Sequence, residues 1–300
     1  MWLGLAFLSA FLLGLYEVSK KLALNNNAVI PVLFLNTFFS SLLFLPFIFL
    51  SFLFPETLEG TILYVPRVPL ETHGYVLLKS FIVLSSWISA YFATKYLPLT
   101  IIGPIKATQP VLTLFGALLI FGERLNLYQW IGVILCIISF YLLSLAGKKE
   151  GINFKKDKWI LFLVFSIIMG AISGLYDKYL MRQLDVMTVQ VWYNCYQCVI
   201  MFIILVLLWY PARKKTTPFH WRWSILGISI FLTIADFVYF YALTDPDSMI
   251  SIVSMVRRSN VVVTFLFGAF LFREKNLKSK ALDLFLVLLG MLFLYLGSRE

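Results

Sequence analysis

The sequence predicts an all-α polytopic membrane protein, with ten transmembrane helices arranged as two inverted five-helix repeats around a central cavity. Three observations lead there. The 300 residues are 61% hydrophobic and only 13% charged, a balance that no soluble domain could cover with polar surface. Runs of about 20 apolar residues, each long enough to cross a bilayer, recur from end to end. The two halves of the chain also repeat one another's polar landmarks in the same order.

The predicted spans of the first half are 2–24, 28–53, 75–96, 100–121 and 127–146. The first apolar run leads into Glu17, Lys20 and Lys21 without a small-residue cleavage pattern, so no cleavable signal is expected. Between the second and third spans, Pro55 to Gly74 contains three prolines and reads as an interfacial turn. The fourth span carries Lys106 and Pro110. After the fifth comes a charged and polar segment, Gly147 to Lys158 (GKKEGINFKKDK), which divides the chain almost in half.

The spans of the second half are 159–180, 186–210, 222–243, 249–272 and 279–297. The sixth contains Gly170-Ala171-Ile172-Ser173-Gly174, a small-residue run suited to close helix packing. The seventh holds Cys195 and Cys198, the eighth Asp236 near its middle, and the ninth the adjacent pair Arg257-Arg258. Most connections are short, so sequential helices are expected to be antiparallel neighbours. The organisation predicted is a first five-helix repeat over 1–147, a charged linker over 148–158 and a second five-helix repeat over 159–300.

The repeat is visible in the residues. Gly14-Leu15-Tyr16-Glu17 in the first span has its counterpart in Gly174-Leu175-Tyr176-Asp177 of the sixth, and Asn36 in the second matches Asn194 in the seventh. The fourth span runs from Lys106 to Phe121-Gly122-Glu123-Arg124, the ninth from Arg257 to Phe272-Arg273-Glu274-Lys275. A unit with an odd number of spans, once duplicated, lays its second copy upside down in the membrane. That is the inverted-repeat design of secondary transporters, whose substrate site lies near the midplane.

Composition excludes several classes. The net charge of +10 sits in connecting loops and forms no basic patch on a soluble domain, so nucleic acid is not an expected partner. Cys136, Cys195 and Cys198 all fall within apolar spans, where a CxxC reads as packing rather than redox or zinc chemistry. His73 and His220 lie far apart, leaving no metal set. No nucleophile with its base and no phosphate loop is present, so neither enzymatic activity nor a cofactor is expected.

The charged residues inside spans carry the functional reading. Each central arginine opposes insertion by about 2.5–3.5 kcal/mol, so the Arg257-Arg258 pair costs roughly 5–7 kcal/mol. Either both snorkel to an interface or they face water and hold an anion; the second reading is preferred. On a helical wheel Gly103, Lys106, Pro110 and Thr113 share one face, with Gln109 beside them. Ser251, Ser254 and Arg258 share another, while Arg257 aligns with Asn260, Val261 and Thr264. Arginine suits bidentate recognition of phosphate or carboxylate, and Lys106 adds a point charge.

Asp236 reads either as the partner of Arg257 or Arg258 when the cavity is empty, or as a proton-coupling acid. Glu17 and Asp177, at repeat-equivalent sites near Lys20, Lys21 and Lys178, read as structural ion pairs or gate latches. Aromatic residues such as Trp192, Tyr193 and Tyr239 either line the cavity or anchor span ends at the interface. The candidate substrate-binding set is therefore Lys106, Arg257, Arg258, Ser254, Gln109, Asn260 and Asp236.

Two five-helix repeats, each with an acidic residue after its fourth helix (Gly122-Glu123; Arg273-Glu274), resemble the drug/metabolite transporter superfamily, EamA-type. That resemblance implies ten helices around a central cavity with alternating access. A narrower similarity joins Ile105-Lys106-Ala107-Thr108-Gln109-Pro110 and Arg257-Arg258 to the phosphate-binding pattern of plant triose-phosphate translocators. It implies that Lys106, Arg257 and Arg258 form a phosphate clamp. This sequence departs by having Arg257 where that family has lysine, and sugar identity does not carry over.

The expected function is a secondary transporter, working by alternating access, of a small anionic, phosphorylated metabolite. Exchange against a counter-substrate or coupling to protons would drive it. The alternative is an exporter of amino acids or of hydrophobic or amine metabolites, with the arginines gripping a carboxylate or pairing with Asp236. A membrane enzyme or flippase acting on a phosphate headgroup is disfavoured, because no acid–base pair is placed for chemistry. The expected partners are a small molecule and the lipid bilayer, and the expected location is a plasma membrane, the bacterial inner membrane. Sixteen basic residues near odd-numbered connections against six near even ones and the termini put both termini outside, although the family resemblance suggests the reverse.

Overall fold

A computed structural model describes residues 2–109, 111–113, 126–148, 156–181, 183–243, 256–272 and 277–297. Among them the chain is helical, without a strand. Helices α1 (Trp2–Leu24), α2 (Val29–Leu53), α3 (Leu70–Tyr96), α4 (Leu99–Ala107) and α5 (Leu127–Lys148) make up the first half. The second half contains α6 (Lys158–Leu180), α7 (Val186–Ile204), α8 (Ser224–Leu243), α9 (Asn260–Phe270) and α10 (Leu277–Gly297). A single helical turn, Pro55–Leu58, follows α2, and a π turn over Leu205–Trp209 extends α7 toward Ala212. Six of the described helices are long and apolar enough to cross a membrane: Val29–Leu53, Leu70–Tyr96, Lys158–Asp177, Val186–Ala212, Ser224–Ala242 and Lys280–Gly297.

Local chemistry sets the boundaries. Asp157 accepts a hydrogen bond from the Trp159 amide at 2.8 Å, and Asp185 accepts those of Met187 and Thr188 at 2.8 and 3.3 Å, so α6 and α7 both start on side-chain caps. Pro98 precedes α4 in extended conformation, and the prolines of the 55–69 stretch separate α2 from α3. At the turn after α1, Asn27 bonds the Ala23 and His220 carbonyls through Nδ2 and accepts the Ala28 and His220 amides at Oδ1. That one side chain ties the α1–α2 turn to the segment entering α8.

The third span is longer than expected, beginning at Leu70 instead of 75. Lys79, one of the six basic residues that the charge count puts near the even connections and termini, lies well inside α3 and is 3% exposed. Residues 114–125, 149–155, 244–255 and 273–276 lie outside the described set. With them go Pro110, Ser251, Ser254 and the two acidic motifs after the fourth and ninth spans.

Packing follows the repeat. α1 lies against α8 and, correspondingly, α6 against α3; α2 also meets α8 as α7 meets α3. Three further close pairs join counterparts, α2 with α7, α4 with α9 and α5 with α10, and α1 also packs against α9. The largest core cluster collects Tyr16, Leu33, Leu84, Tyr91, Met201 and Ile228 from α1, α2, α3, α7 and α8. Outward faces are apolar, with Phe7, Phe11, Leu207, Leu208 and Phe270 exposed, as lipid contact requires.

Lipid is as apolar as leucine, so dispersion and interhelical hydrogen bonds hold such a bundle together. Serine hydroxyls supply the bonds by reaching a neighbour's carbonyl: Ser9 to Ala235 (2.7 Å), Ser41 to Asn194 (2.8 Å), Ser86 to Ser166 (2.8 Å), Ser139 to Asp283 (2.8 Å) and Ser229 to Asn36 (3.2 Å). Each contributes about 0.6 kcal/mol in measured membrane bundles. At the end of α3, Lys21 caps the Thr94 and Leu97 carbonyls at 2.8 and 2.5 Å, where the helix dipole is negative.

Candidate functional site

Two clusters of charge lie inside the bundle, strung along α1. The first is built on Glu17. One carboxylate oxygen accepts the Lys106 ammonium of α4 at 2.7 Å, and the other lies 2.7 Å from Lys20, one turn further along α1. Lys20 is 1% exposed and rests over the rings of Tyr16 (4.4 Å) and Tyr91 (5.1 Å), whose negative faces attract its ammonium. A small pocket with room for about one water lies beside this cluster, lined by Glu17, Gly103, Lys106, Asn260 and Thr264 with Leu99 and Ile102. Gly103 is needed there: a Cβ at this position would come within 2.8 Å of Val261 and 3.0 Å of the Thr264 hydroxyl.

The second cluster is built on Arg257. Its guanidinium forms an ion pair with Asp236 of α8, donates from Nε to Ser9 of α1 at 3.2 Å, and lies 4.1 Å over the Tyr239 ring. Tyr193 of α7 donates its hydroxyl to the other Asp236 oxygen at 3.1 Å. Beyond Tyr193, Lys79 of α3 lies 5.0 Å over that same ring and pairs with Asp177 of α6. Asp177, Lys79, Tyr193, Asp236, Arg257 and Ser9 thus form one polar chain through five helices and the turn that leads into α9.

Buried ion pairs are marginal as a source of stability but expensive to break, because removing one partner leaves an uncompensated charge. The pairing therefore answers the insertion cost of Arg257. Arg258 is different. It is half-buried and has no ion-pair or hydrogen-bond partner among the described residues, while lying within electrostatic reach of Arg257, Tyr239 and Glu17.

The backbone changes at both cations. Two residues after Lys106, Thr108 ends α4 with ψ near −9°, and the bonds tighten to i→i+3 spacing, Thr108 to Ile105 and Val111 to Thr108. Two residues after Arg257, Ser259 has ψ near −6° with the same pattern, Ser259 to Val256 and Val262 to Ser259. In each case the hydroxyl also bonds the carbonyl three residues back, at 2.7 Å for Thr108 and 2.6 Å for Ser259. Interrupted helices inside a membrane are tolerated where the freed backbone is buried in protein or lines a polar cavity.

Several expectations need correction in detail. Lys106 and Arg257 do not grip a common point: they meet α1 at Glu17 and Ser9, eight residues or about 12 Å apart along its axis. Gln109 is turned toward α6, against Gly170, rather than toward the pocket. Asn260 does line the pocket, and Asp236 partners Arg257. Asp177 pairs with Lys79 across to α3. In the small-residue run of α6, Gly170 is closely packed, whereas a Cβ on Gly174 would meet nothing within 4 Å among the described residues. Ser254 lies outside the described residues.

Lys79 was missed as a site residue. The signal available was a lone cation nine residues into a helix whose start the sequence reading put too late. Cys195 and Cys198 are free thiols, and no group of three or more His, Cys, Asp or Glu that could hold a metal occurs among the described residues.

Comparison with known proteins bears on what this arrangement serves. The chain matches the EamA-like transporter family over residues 1–145 and again over 157–296, one match for each half. No curated protein matches it. A crystal structure of a protein with 13% sequence identity superposes over 99% of this chain and 96% of its own, with a TM-score of 0.63, which shows a shared fold. Buried charge in a bundle of membrane helices, with a family match running through both halves, has one consequence: the chain belongs to the EamA-like transporter family and is a multi-pass membrane transporter of small molecules.

Proposed function

We propose that this chain is a secondary transporter that moves a small anionic metabolite, carried on a phosphate group, by alternating access between two inverted five-helix halves, residues 1–147 and 159–300. The observation that carries the anion is the charge balance of the two clusters. Among the described residues they contain five cations, Lys20, Lys79, Lys106, Arg257 and Arg258, against three acids, Glu17, Asp177 and Asp236. An excess of positive charge inside a low-dielectric bundle favours a negatively charged guest. Arg258, lacking a counter-ion among the described residues, is the natural first contact, with Lys106 and Arg257 released to the substrate when their acids are displaced.

Alternation is supported by the interrupted helices at Thr108 and Ser259, the type of element from which transporter sites are built. It is also supported by asymmetry between equivalent positions. Glu17 of α1 holds the cation of α4, whereas Asp177 of α6 does not hold Arg257 and pairs with Lys79 instead. One half is latched and the other is not, as expected of a state open to one side. Protons or a counter-substrate would supply the driving force, and the charge count puts both termini outside a bacterial inner membrane.

A second reading, export of amino acids or amines, draws on Glu17 and Asp236, which already occupy two of the cations and offer carboxylates of their own. Thermal stabilisation of the purified protein separates the two. Inorganic phosphate and phosphate esters should raise the melting temperature of wild type and not of Arg258→Gln. Stabilisation by amino acids or amines alone sinks the anion reading.

A further inference from the structure

Between α2, α7 and α8 runs a seam of uncharged polar side chains that neither charge cluster uses. α7 contributes Gln190, Asn194 and Gln197 at spacing i, i+4, i+7, a single helical face. Facing them are Asn36, Ser40 and Ser41 of α2 and Ser229 and Thr233 of α8. Cross-helix bonds fix the register: Ser41 to the Asn194 carbonyl at 2.8 Å, Ser229 to the Asn36 carbonyl at 3.2 Å, and Gln190 Nε2 to the Thr233 carbonyl at 3.5 Å. The Ser40 and Thr233 hydroxyls also meet, at 3.3 Å.

α2 and α7 are antiparallel, so one turn beyond the Ser41–Asn194 contact they bring Asn36 and Gln197 to the same level. The rings of Phe34 and Phe202, 5.9 Å apart, close the seam past that point. Asn36 and Gln197 are both 0% exposed. Neither the oxygen nor the nitrogen of either amide has a hydrogen-bond partner among the described residues, and Gln190 Oε1 has none either.

Buried amides are satisfied in nearly all folded proteins, and leaving one unpaired is destabilising. Two such groups at one level, on helices from opposite halves, call for a partner that donates and accepts at the same place. A carboxamide presents a donor and an acceptor side by side. A phosphate or carboxylate would answer only the donors, and an ammonium only the acceptors. A hydroxyl group answers both.

The seam also joins the charged site. Ser229, Thr233 and Asp236 form one stripe on α8, so the Asn36 level lies seven residues, about 10 Å, from the Arg257–Asp236 pair. That is the length of a small metabolite with a charged head and a short carbon body.

We propose that Asn36 and Gln197 form the uncharged end of the substrate site, binding the hydroxyl groups of a hydroxylated metabolite as the two halves part. The position of the charged head rests on the anion reading above; the hydroxyl specificity of the seam does not. Three probes test it on the full chain in lipid nanodiscs: glycerol 3-phosphate, ethyl phosphate, which keeps the head and lacks the hydroxyls, and the neutral polyol erythritol. Wild type should bind glycerol 3-phosphate about tenfold more tightly than ethyl phosphate, the worth of one or two hydrogen bonds.

In Asn36→Leu and in Gln197→Met that ratio should fall to within about twofold of unity, with ethyl phosphate binding retained as evidence of an intact fold. Either variant that folds decides the matter. An unchanged ratio in the variants, or no preference in wild type, overturns the proposal. If neither ester binds wild type, the anion reading fails and erythritol decides the seam. Stabilisation of wild type but not of the variants upholds it, and no stabilisation overturns it. A bridging water alone would show as variants more stable than wild type without any change in ligand discrimination, which also overturns it.

Discussion

Gly14 of α1 and Val263 of α9 touch so closely that a Cβ on Gly14 would lie 2.4 Å from the Val263 Cβ. A Cβ on Gly174, the counterpart of Gly14 in the second half, would meet nothing within 4 Å among the described residues. Corresponding positions in the two halves therefore differ in packing, one in close contact and the other with room for a Cβ among the described residues. The Glu17–Lys106 latch lies one turn along α1 from the close contact.

This asymmetry makes opposite predictions for the two glycines. Gly14→Ala forces α1 from α9 and should destabilise the described state by about 1–3 kcal/mol, the usual cost of overpacking. Gly174→Ala lies in a helix, meets nothing within 4 Å among the described residues, and should leave melting unchanged or raise it slightly, since alanine is the better helix former by roughly 0.5–1 kcal/mol. If the opposite state seals at Gly174 as this one seals at Gly14, Gly174→Ala should still slow transport at least about tenfold, because the clash costs that state more than 1.4 kcal/mol. Melting curves and proteoliposome uptake measure the two effects. Normal uptake by Gly174→Ala would remove the case for alternation between these contacts.

Glu17 neutralises two lysines, so its loss should be worse than the loss of either. Glu17→Gln leaves Lys106 and Lys20 facing each other without a carboxylate, and a destabilisation of about 3–5 kcal/mol is expected. Lys106→Met, which leaves Glu17 still paired with Lys20, should cost less. Combining the two should recover part of the Glu17→Gln loss, a coupling that thermal melts of the four proteins would measure. Additive losses would mean that the pair does not act as a unit.

Asp236 distinguishes the two substrate readings. Asp236→Asn removes the carboxylate on Arg257 while leaving Tyr193 a hydrogen-bond acceptor, and it adds one net positive charge to the interior. The protein should become less stable without ligand, yet bind inorganic phosphate several-fold more tightly, since no internal acid competes for the guanidinium. Were the substrate an amine, the same change would weaken its binding. Titration of phosphate against the melting temperature of both proteins gives the sign directly.

How far the sequence carried depends on the range of each interaction. Apolar runs fix spans within a single segment, and GLYE against GLYD exposes the duplication, so the helices and their pseudo-equivalence were legible. Arg257, Lys106 and Asp236 stood out as charges in apolar surroundings. Asp236 as a partner of Arg257 was legible too, but the partners of Lys106 and Asp177 were not, because pairing is set by which helices touch: Glu17 finds Lys106 89 residues away, and Asp177 finds Lys79, 98 residues distant. Lys79 was hidden by a boundary error of one and a half turns at the start of α3, which placed it at a membrane edge. The unpaired amides of Asn36 and Gln197 were equally out of reach. Nothing in a sequence says that a buried polar group has gone unanswered.

The interruption at Ser259 was not legible, since serine is an ordinary residue in membrane helices, whereas the one beside Thr108 falls where the sequence places Pro110, which withholds an N–H from the ladder. The Thr108 and Ser259 hydroxyls bond the carbonyl three residues back, which competes with the i→i+4 ladder and lets the backbone turn just past each cation. Ser259→Ala removes that competitor and favours continuous helix, so stability should change by no more than about 1 kcal/mol. The turn that aims Arg257 at Asp236 would nevertheless be weakened, and transport should fall. Thr108→Val should act in the same direction through Lys106. Combining them should depress uptake more than either alone, because the two breaks lie at equivalent points of the two halves. Full uptake in the double variant, with melting unchanged, would reduce the matching turns to incidental packing.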